Sequence, residues 1–418
     1  MDMIFDKHSV KERVRAISSK SEAHRYLICA SLADRETELI CTDTNADINA
    51  TAQCLNSMGA SVTRTEMGFL IKPISSVITG GDLDCNESGS TLRFLLPLAA
   101  ALGADCRFIM RGRLAARPLS PLYEILRDRG VALSPQGSSP LEIKGKFGAG
   151  DYRVAANVSS QYISGLLFAL SVSEGESTLR LDGRIESAPY IEMTVKGLMD
   201  FGADIEFDCA ENIFFIKGAP RLRSPERVVV GGDWSNAAFY LAAGAVGKRS
   251  VTVSGLDEGS SQGDREILAL LEKMGAKITR DGADITVHPS RLRAIDIDAS
   301  QIPDLVPVLA TVASVAEGKT RIYNAGRLRL KESDRIESVC RTLRALGADI
   351  EPRDDGMVIA GKKSLAGGVI DSYNDHRIAM SAAVASLICE NTVKITRFEA
   401  INKSYPSFLD GWEIKDQL

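Results

Sequence analysis

The run Arg327-Leu-Arg-Leu-Lys-Glu-Ser-Asp-Arg335 puts Lys331, Glu332, Asp334 and Arg335 within five positions, directly before the apolar spacing Ile336, Val339, Leu343, Leu346. That spacing predicts a helix with the charges at its opening. A helix start presents unpaired N–H groups and the positive end of the dipole. Two added cations and a carboxylate suit an anionic ligand and a proton transfer. The same charges would also serve a solvated helix end laced with i,i+3 and i,i+4 pairs. The rest of the chain weighs between these readings.

Similar clusters recur. Ser19-Lys20-Ser21 is followed by Arg25, and Asn86-Glu-Ser-Gly89-Ser90-Thr91 by Arg93. Ala116-Arg117-Pro118 puts Pro where a helix takes one at N1. Ser159-Ser160-Gln161, Ser187-Ala-Pro-Tyr190, Ile302-Pro-Asp304, Asn374-Asp-His376-Arg377 and Asn402-Lys403-Ser404 complete the set. Ser, Asp and Asn are ordinary N-caps. Capping does not explain Lys20, Arg25, Arg93, Arg117, Lys331, Arg335, Arg377 and Lys403, because a cation in the first turn opposes the dipole. The pattern makes sense if an anion fills the site, and the number of cations implies more than one anionic group. Asp304 and Glu332, with His376 as a third candidate, could move protons inside such a cluster. Asp304 also has a plain reading as an N-cap after Pro303, and His376 as a cap or buried hydrogen-bonder. No nucleophile elbow, Ser/His/Asp triad or P-loop is present, and Gly80-Gly81 and Gly231-Gly232 do not make a Rossmann fingerprint.

The elements that must position these residues come from repetition. One phrase is an amphipathic helix with a glycine stop, then strand, turn and strand. It occurs around Gly59, Gly130, Gly202, Gly275 and Gly347. Glycine there fits the left-handed C′ position, and Asp281-Gly282 and Asp355-Gly356 read as hairpin turns. A second phrase, a polar start and a long Ala/Leu-rich helix, begins near Ser19, Gly89, Ser159, Ser235, Pro303 and Asp375, about every 70 residues. In the sixth copy the second helix is degenerate, around Tyr405–Trp412. The predicted unit is βαββαβ, six times over. The stretches 166–170, 237–246, 306–316 and 379–387 are apolar nearly all round, so these helices should be buried with sheets packed outside. The expected architecture is α/β, with three repeats in each of two domains. One domain takes residues 1–16 and 229–418, its first strand being Ile4–Val14; the other takes 17–228, with a polar connector at Pro220–Val230.

Composition agrees with a soluble globular chain of two domains: 418 residues, 44% hydrophobic and 25% charged. A net charge of −5 sets general nucleic-acid binding behind, so any anion must be met by a local cluster. Eight scattered cysteines without a C-x-x-C pair read as reduced, mostly packed thiols of a cytoplasmic protein. The four histidines lack metal-ligand spacing, so no metal site is expected. The N-terminus has no secretory pattern, and no apolar run approaches the roughly 18 residues of a membrane span.

These motifs, in this order, closely resemble the 5-enolpyruvylshikimate-3-phosphate synthase family over essentially the whole chain. The lysine-glutamate-x-aspartate-arginine run at Lys331–Arg335 and the asparagine-aspartate-histidine-arginine run at Asn374–Arg377 carry most of that likeness. The resemblance implies a two-domain inside-out α/β barrel. It implies transfer of the enolpyruvyl group of phosphoenolpyruvate to the 5-hydroxyl of shikimate 3-phosphate, by addition then elimination, in aromatic amino acid biosynthesis. Lys20, Ser21, Arg25, Ser159, Ser160, Gln161, Ser187, Tyr190, Asp304 and Lys331 would meet shikimate 3-phosphate. Lys20, Gly89, Arg117, Gln161, Arg335, Arg377 and Lys403 would meet phosphoenolpyruvate. Asp304 resembles the base for the hydroxyl and Glu332 the acid–base at the methyl carbon, with Lys20 assisting. No metal or organic cofactor is implied, the expected state is a monomer, and domain closure would expel water. Two departures stand out. The loop Asn86-Glu-Ser is one residue longer before Gly89, and Arg327 stands where an asparagine is expected.

The nearest rival is a UDP-N-acetylglucosamine enolpyruvyl transferase. Its members place a reactive cysteine before the alanine-arginine-proline, where this chain reads Met110-Arg-Gly-Arg-Leu-Ala-Ala116. An RNA 3′-phosphate cyclase-like enzyme is disfavoured by the acidic charge and the lack of basic-aromatic patches.

Overall fold

The structure is a computed structural model that describes residues 1–6 and 9–413. The chain forms two compact units, Lys20–Val230 and Met1–Ser19 with Gly231–Leu418, and passes from one to the other twice.

Five four-stranded sheets share one plan. In each, an edge strand runs parallel to the strand after the first helix, and a hairpin completes the sheet antiparallel. That edge strand directly precedes the first helix in three sheets, whereas Arg227–Val229 and Arg13–Arg15 fill the place beside Thr37–Ile40 and Val251–Ser254. Asp151–Ala155 pairs with Gly175–Asp182, which pairs with Ile213–Gly218 and through it with Asp204–Asp208. The second helix, Ala188–Asp200, lies between the parallel pair and the hairpin. The expected order βαββαβ is therefore corrected to βαβαββ. The reason is local: each glycine stop ends the second helix and feeds the hairpin directly, so both hairpin strands follow it. The stops at Gly59, Gly130, Gly202, Gly275 and Gly347 all have positive φ, where a Cβ would be strained. The tight turns shift by a residue from expectation. Asp281 pairs with Asp284 and Arg353 with Gly356, so the turn residues are Gly282-Ala283 and Asp354-Asp355.

The expected first strand Ile4–Val14 is three short strands instead. Met3–Phe5 pairs with Val393–Thr396, Ser9–Val10 with Trp412–Glu413, and Arg13–Arg15 with Val251–Ser254. Lys7 and His8 lie outside the described residues. Met3–Phe5 takes the place of a hairpin in the last sheet, after which the chain forms short 3-10 turns at Phe398–Lys403 and Phe408–Gly411.

Each unit has its own core. In one, the buried helices Lys20–Ser31, Gly89–Leu102 and Ser160–Ser171 supply its centre; in the other, Trp234–Val246, Val306–Ala313 and His376–Ser386 do. These are the apolar stretches of the sequence, and sheet residues such as Leu179, Phe214, Ile322 and Ile359 pack with them. Among the described residues no helix is long and apolar enough to cross a membrane. All eight cysteines are free, and six of them are buried.

One close approach ties packing to the site. Pro97 lies inside the helix Gly89–Leu102 and donates no N–H to the carbonyl of Arg93, one turn earlier. Gly165 packs onto that carbonyl: a Cβ there would come 2.2 Å from Arg93 O and 2.8 Å from Pro97 Cγ. Helix propensity alone favours Gly165→Ala by about 1 kcal/mol. The clash is with backbone and should win, lowering stability by about 1–3 kcal/mol. Urea unfolding checks this; a raised midpoint would show that the two helices part freely.

Candidate active site

In the unit that holds residues 231–413, three segments bring charge together. The 3-10 turn Pro303–Leu305 carries Asp304. The residues 331–334 form the turn before the helix Arg335–Ala345, so Lys331 and Glu332 precede the helix rather than open it. Asp334 is its N-cap and accepts from the N–H of Glu337. Asp375 caps His376–Ser386 by accepting from the N–H of Arg377.

Arg335 sits at the centre, its side chain 2% exposed. Its Nε donates to Asp375 Oδ2 at 2.8 Å and its Nη2 to Asp375 Oδ1 at 3.1 Å, a bidentate fork. Its Nη1 donates to Asp304 Oδ1 at 2.8 Å, and Glu332 Oε1 lies 3.8 Å from Nη2. Asp304 also receives Arg377 Nη2 at 3.1 Å on Oδ2, with Lys331 Nζ at 3.8 Å from Oδ1. Arg377 further donates to Ser235 Oγ at 2.7 Å. Lys403 Nζ donates to the carbonyl of Asn374 at 2.6 Å, and His376 Nδ1 lies 2.9 Å from Glu332 Oε2. Asp304, Lys331, Glu332, Arg335, Arg377 and Lys403, predicted from sequence, thus fall in one network.

The charges set the protonation states. Burial works against an ionised Glu332, but His376, Arg335 and Lys403 outweigh it and hold the carboxyl well below the usual range. Burial likewise opposes an ionised Asp375, and Arg335 more than offsets it. Asp264 goes the other way: burial first, then nearby Asp304, pushes its carboxyl up to about 6. Glu332, Asp375 and His376 each offer one ligand atom within 4.8 Å of the others. The Arg335 fork already takes both oxygens of Asp375, so a dication there would have to displace a guanidinium.

In the unit Lys20–Val230, Lys20 Nζ pairs with Asp47 Oδ2 at 2.9 Å. Arg25 is buried and donates to Ser21 O at 2.8 Å, Tyr190 O at 2.7 Å and Thr194 Oγ1 at 2.8 Å, with Phe94 beneath its guanidinium. Burial lowers its pKa to about 10, so it stays cationic at neutral pH. Ser159 caps the helix Ser160–Ser171, and Gln161 accepts from Arg93 Nη1 at 2.9 Å while donating to Ser90 Oγ at 2.9 Å. Gly89 lies under two guanidiniums: a Cβ would come 2.6 Å from Arg93 Nη1 and 2.7 Å from Arg117 Nη1. Pro118 is not at a helix N1, since the helix there runs Leu122–Asp128 and Arg117 follows a 3-10 turn. Ser187 precedes the helix Ala188–Asp200 in a left-handed conformation with no capping bond from its side chain, and it is buried beside Tyr190's turn.

Ser21, Arg25 and Tyr190 therefore form one group, and Gly89, Arg117, Gln161 and Arg93 another. Ser164 Oγ, 2.7 Å from Thr194 Oγ1, links the helices behind them. Sequence reasoning passed over Asp47, Asp264 and Ser235 as site residues. Asp47 and Asp264 are second residues of a helix and a 3-10 turn, where an acid is ordinary, and Ser235 opens a repeat whose start has no cation. Asp375 read only as a cap, which it is, in addition to its fork with Arg335.

Fold and geometry first define a class: an α/β protein of repeated helix-and-sheet units whose helix starts hold preset cations and carboxylates suited to small anions. Within it, the chain belongs to the EPSP synthase (3-phosphoshikimate 1-carboxyvinyltransferase) family, whose model matches residues 6–412. A 3-phosphoshikimate 1-carboxyvinyltransferase of Clostridium kluyveri is 41% identical over 403 residues, 96% of this chain and 93% of that one. One of Clostridium perfringens is 40% identical over 416 residues, covering 98% and 96%. An EPSP synthase structure from Acinetobacter baumannii matches with a TM-score of 0.80 at 25% identity, over 99% of both chains. An enolpyruvyl transferase from Streptomyces tendae shares the fold with a TM-score of 0.78 at 18% identity, over 98% and 96%.

Two outcomes follow from the charge network. Asp375→Asn strands the buried Arg335 and should cost about 3–5 kcal/mol in urea unfolding at neutral pH; a loss under about 1 kcal/mol would mean that water reaches the guanidinium. Asp264 has a raised pKa, so its contribution to stability is present below the unfolded value and is lost as pH rises through about 6. Between about pH 4 and 6.5 the wild type should lose about 2–3 kcal/mol relative to Asp264→Asn. Parallel stability curves over that window would exclude the raised pKa.

Proposed function

We propose that this chain transfers the enolpyruvyl group of phosphoenolpyruvate to the 5-hydroxyl of shikimate 3-phosphate, releasing phosphate, as a step of aromatic amino acid biosynthesis. The observation that carries it is the Asp304–Arg335–Glu332 network, two carboxylates on one buried guanidinium with Lys331, Arg377 and Lys403 around them. Family membership over residues 6–412 supports the same reading.

In this reading shikimate 3-phosphate takes Ser21, Arg25, Ser159, Ser160, Ser187 and Tyr190, with Asp304 and Lys331 at its hydroxyl. Phosphoenolpyruvate takes Gly89, Arg117, Arg335, Arg377 and Lys403. Lys20 and Gln161 serve both. Asp304 accepts the proton of the 5-hydroxyl as its oxygen bonds to C2 of phosphoenolpyruvate. Protonated Glu332 delivers its proton to C3, making the methyl group of a tetrahedral intermediate. Glu332 then takes a methyl proton back, the C2–O bond to phosphate breaks with the proton held by Asp304 passing to the departing phosphate, and the enol ether forms. Lys20 stabilises the developing charge.

Glu332 is ionised in the free chain, so it must gain a proton before the addition. The bound anions supply the reason. They cancel the positive potential of Arg335 and Lys403 that holds the proton off, while burial continues to push the carboxyl up. The finer architectural reading goes with the function: three repeats in each domain, residues 1–16 with 229–418 and residues 17–228, form an inside-out α/β barrel around the buried helices. Every assigned residue comes from one chain, so a monomer suffices. The free thiols suit a reducing cytoplasm.

Phosphate release from phosphoenolpyruvate tests the assignment. It should require shikimate 3-phosphate and be absent with UDP-N-acetylglucosamine. Glu332→Gln and Asp304→Asn should each lower kcat by about a hundredfold or more. Near-normal turnover in both variants, with loss in Arg117→Ala, would refute the acid–base roles.

A further inference from the structure

We infer that the buried chain His24–Thr51–Thr91–Ser88 is a positioning device that holds Lys20 in register with the helix start at Gly89. This inference rests on the proposed function for its kinetic consequence. Its structural content stands on the geometry alone.

Lys20 and His24 are one turn apart on the helix Lys20–Ser31, and Asp47 and Thr51 are one turn apart on Ala46–Ser57. Lys20 meets Asp47 at 2.9 Å, and His24 Nδ1 meets Thr51 Oγ1 at 2.7 Å. Two rungs between the same helices fix both their sliding and their rotation. The second rung continues. Thr51 Oγ1 lies 2.7 Å from Thr91 Oγ1, and Thr91 Oγ1 donates to Ser88 Oγ at 2.7 Å. Ser88 is the N-cap of the helix that begins at Gly89, and it accepts from the Thr91 N–H. Three helices are thus joined through residues that are all at most 1% exposed.

The hydroxyl inventory gives the chain one direction. The proton of Thr91 goes to Ser88, so Thr91 accepts from Thr51. The proton of Thr51 is then spent, so Thr51 accepts from His24, which must carry its proton on Nδ1. Nε2 is buried without a hydrogen-bond partner. The cations Lys20 and Arg25 lie close by, and burial with them keeps His24 neutral. A neutral imidazole of fixed tautomer makes a rigid spacer: charging it, or moving its proton to Nε2, would reverse or break the chain. Phe94, edge-on to His24 at 6.4 Å between centroids, holds the ring plane and also underlies Arg25.

Thr51→Val keeps the shape and removes the hydroxyl, while Thr51→Ser keeps the hydroxyl. If the chain sets the spacing between Lys20 and Gly89, Thr51→Val should raise KM for phosphoenolpyruvate about tenfold, with a smaller change in KM for shikimate 3-phosphate and in kcat. Thr51→Ser should restore the wild-type value to within about twofold. Equal changes in all three constants, or no rescue by Ser, would reduce Thr51 to packing and overturn the inference. Nitrogen-15 NMR of labelled histidine reads the chain without turnover. His24 should be neutral in the Nδ1–H form throughout the range where an ordinary histidine titrates. An Nε2–H tautomer, or a titrating His24, overturns the inference even in an active enzyme. A wild type that releases no phosphate overturns the proposed function instead, and leaves the NMR result to decide the positioning chain.

Discussion

A guanidinium buried to 2% exposure needs its donors and its charge met, and much of this candidate site follows from meeting those of Arg335 with carboxylates. The match is made by Asp375 in a bidentate fork and by Asp304 on the remaining side, with Glu332 at 3.8 Å. Each partner comes from a different segment: a helix cap, a 3-10 turn and the turn before Arg335 itself. The ion network therefore fixes the relative positions of three helix starts. Burying charge in this way is poor at raising stability but strict about geometry, which is what a proton-transferring site needs.

The other unit solves a related problem with neutral groups. Arg25 and Arg93 are buried there too, but the contacts of Arg25 are carbonyls, a threonine hydroxyl and an aromatic face, and those of Arg93 are a glutamine, a carbonyl and Tyr162. Donors satisfied by neutral acceptors keep their full charge available to an anion. In the first unit the same role requires an anion to compete with Asp304 for Arg335 and Arg377. The difference is between cations that an anion can meet directly and cations whose anion must first reset a carboxylate.

Much of this was legible in the chain because it is written repeatedly. The glycine stops at Gly59, Gly130, Gly202, Gly275 and Gly347 marked the helix ends, and their positive φ values follow from chemistry local to each. Cations at helix starts marked Arg335, Arg377 and Arg25, because they oppose the dipole and need a reason. The order of strands within the unit was harder. The glycine-stop phrase puts the second helix before both hairpin strands, but hairpin strands and parallel strands share the same alternation, so periodicity left open where the parallel pair falls around it. The short strands at 3–5, 9–10 and 13–15 read as one, because pairing with three different sheets is a property of distant partners. Asp47 and Asp264 were silent for the same kind of reason. An acid in a first turn is ordinary, and only tertiary packing brings one to Lys20 and the other close to Asp304.

The chemical core of the proposal is a transient methyl group made and unmade by Glu332. Its methylene hydrogens and the delivered solvent hydrogen become equivalent there, so reversal or elimination can keep either. Deuterium content of the methylene in re-isolated phosphoenolpyruvate and in the enol ether product, after reaction in heavy water with shikimate 3-phosphate, reads this directly. The wild type should place deuterium in both, and the Glu332→Gln variant should place almost none in either. An enol ether free of deuterium in the wild type would contradict addition–elimination, whatever the rate of phosphate release.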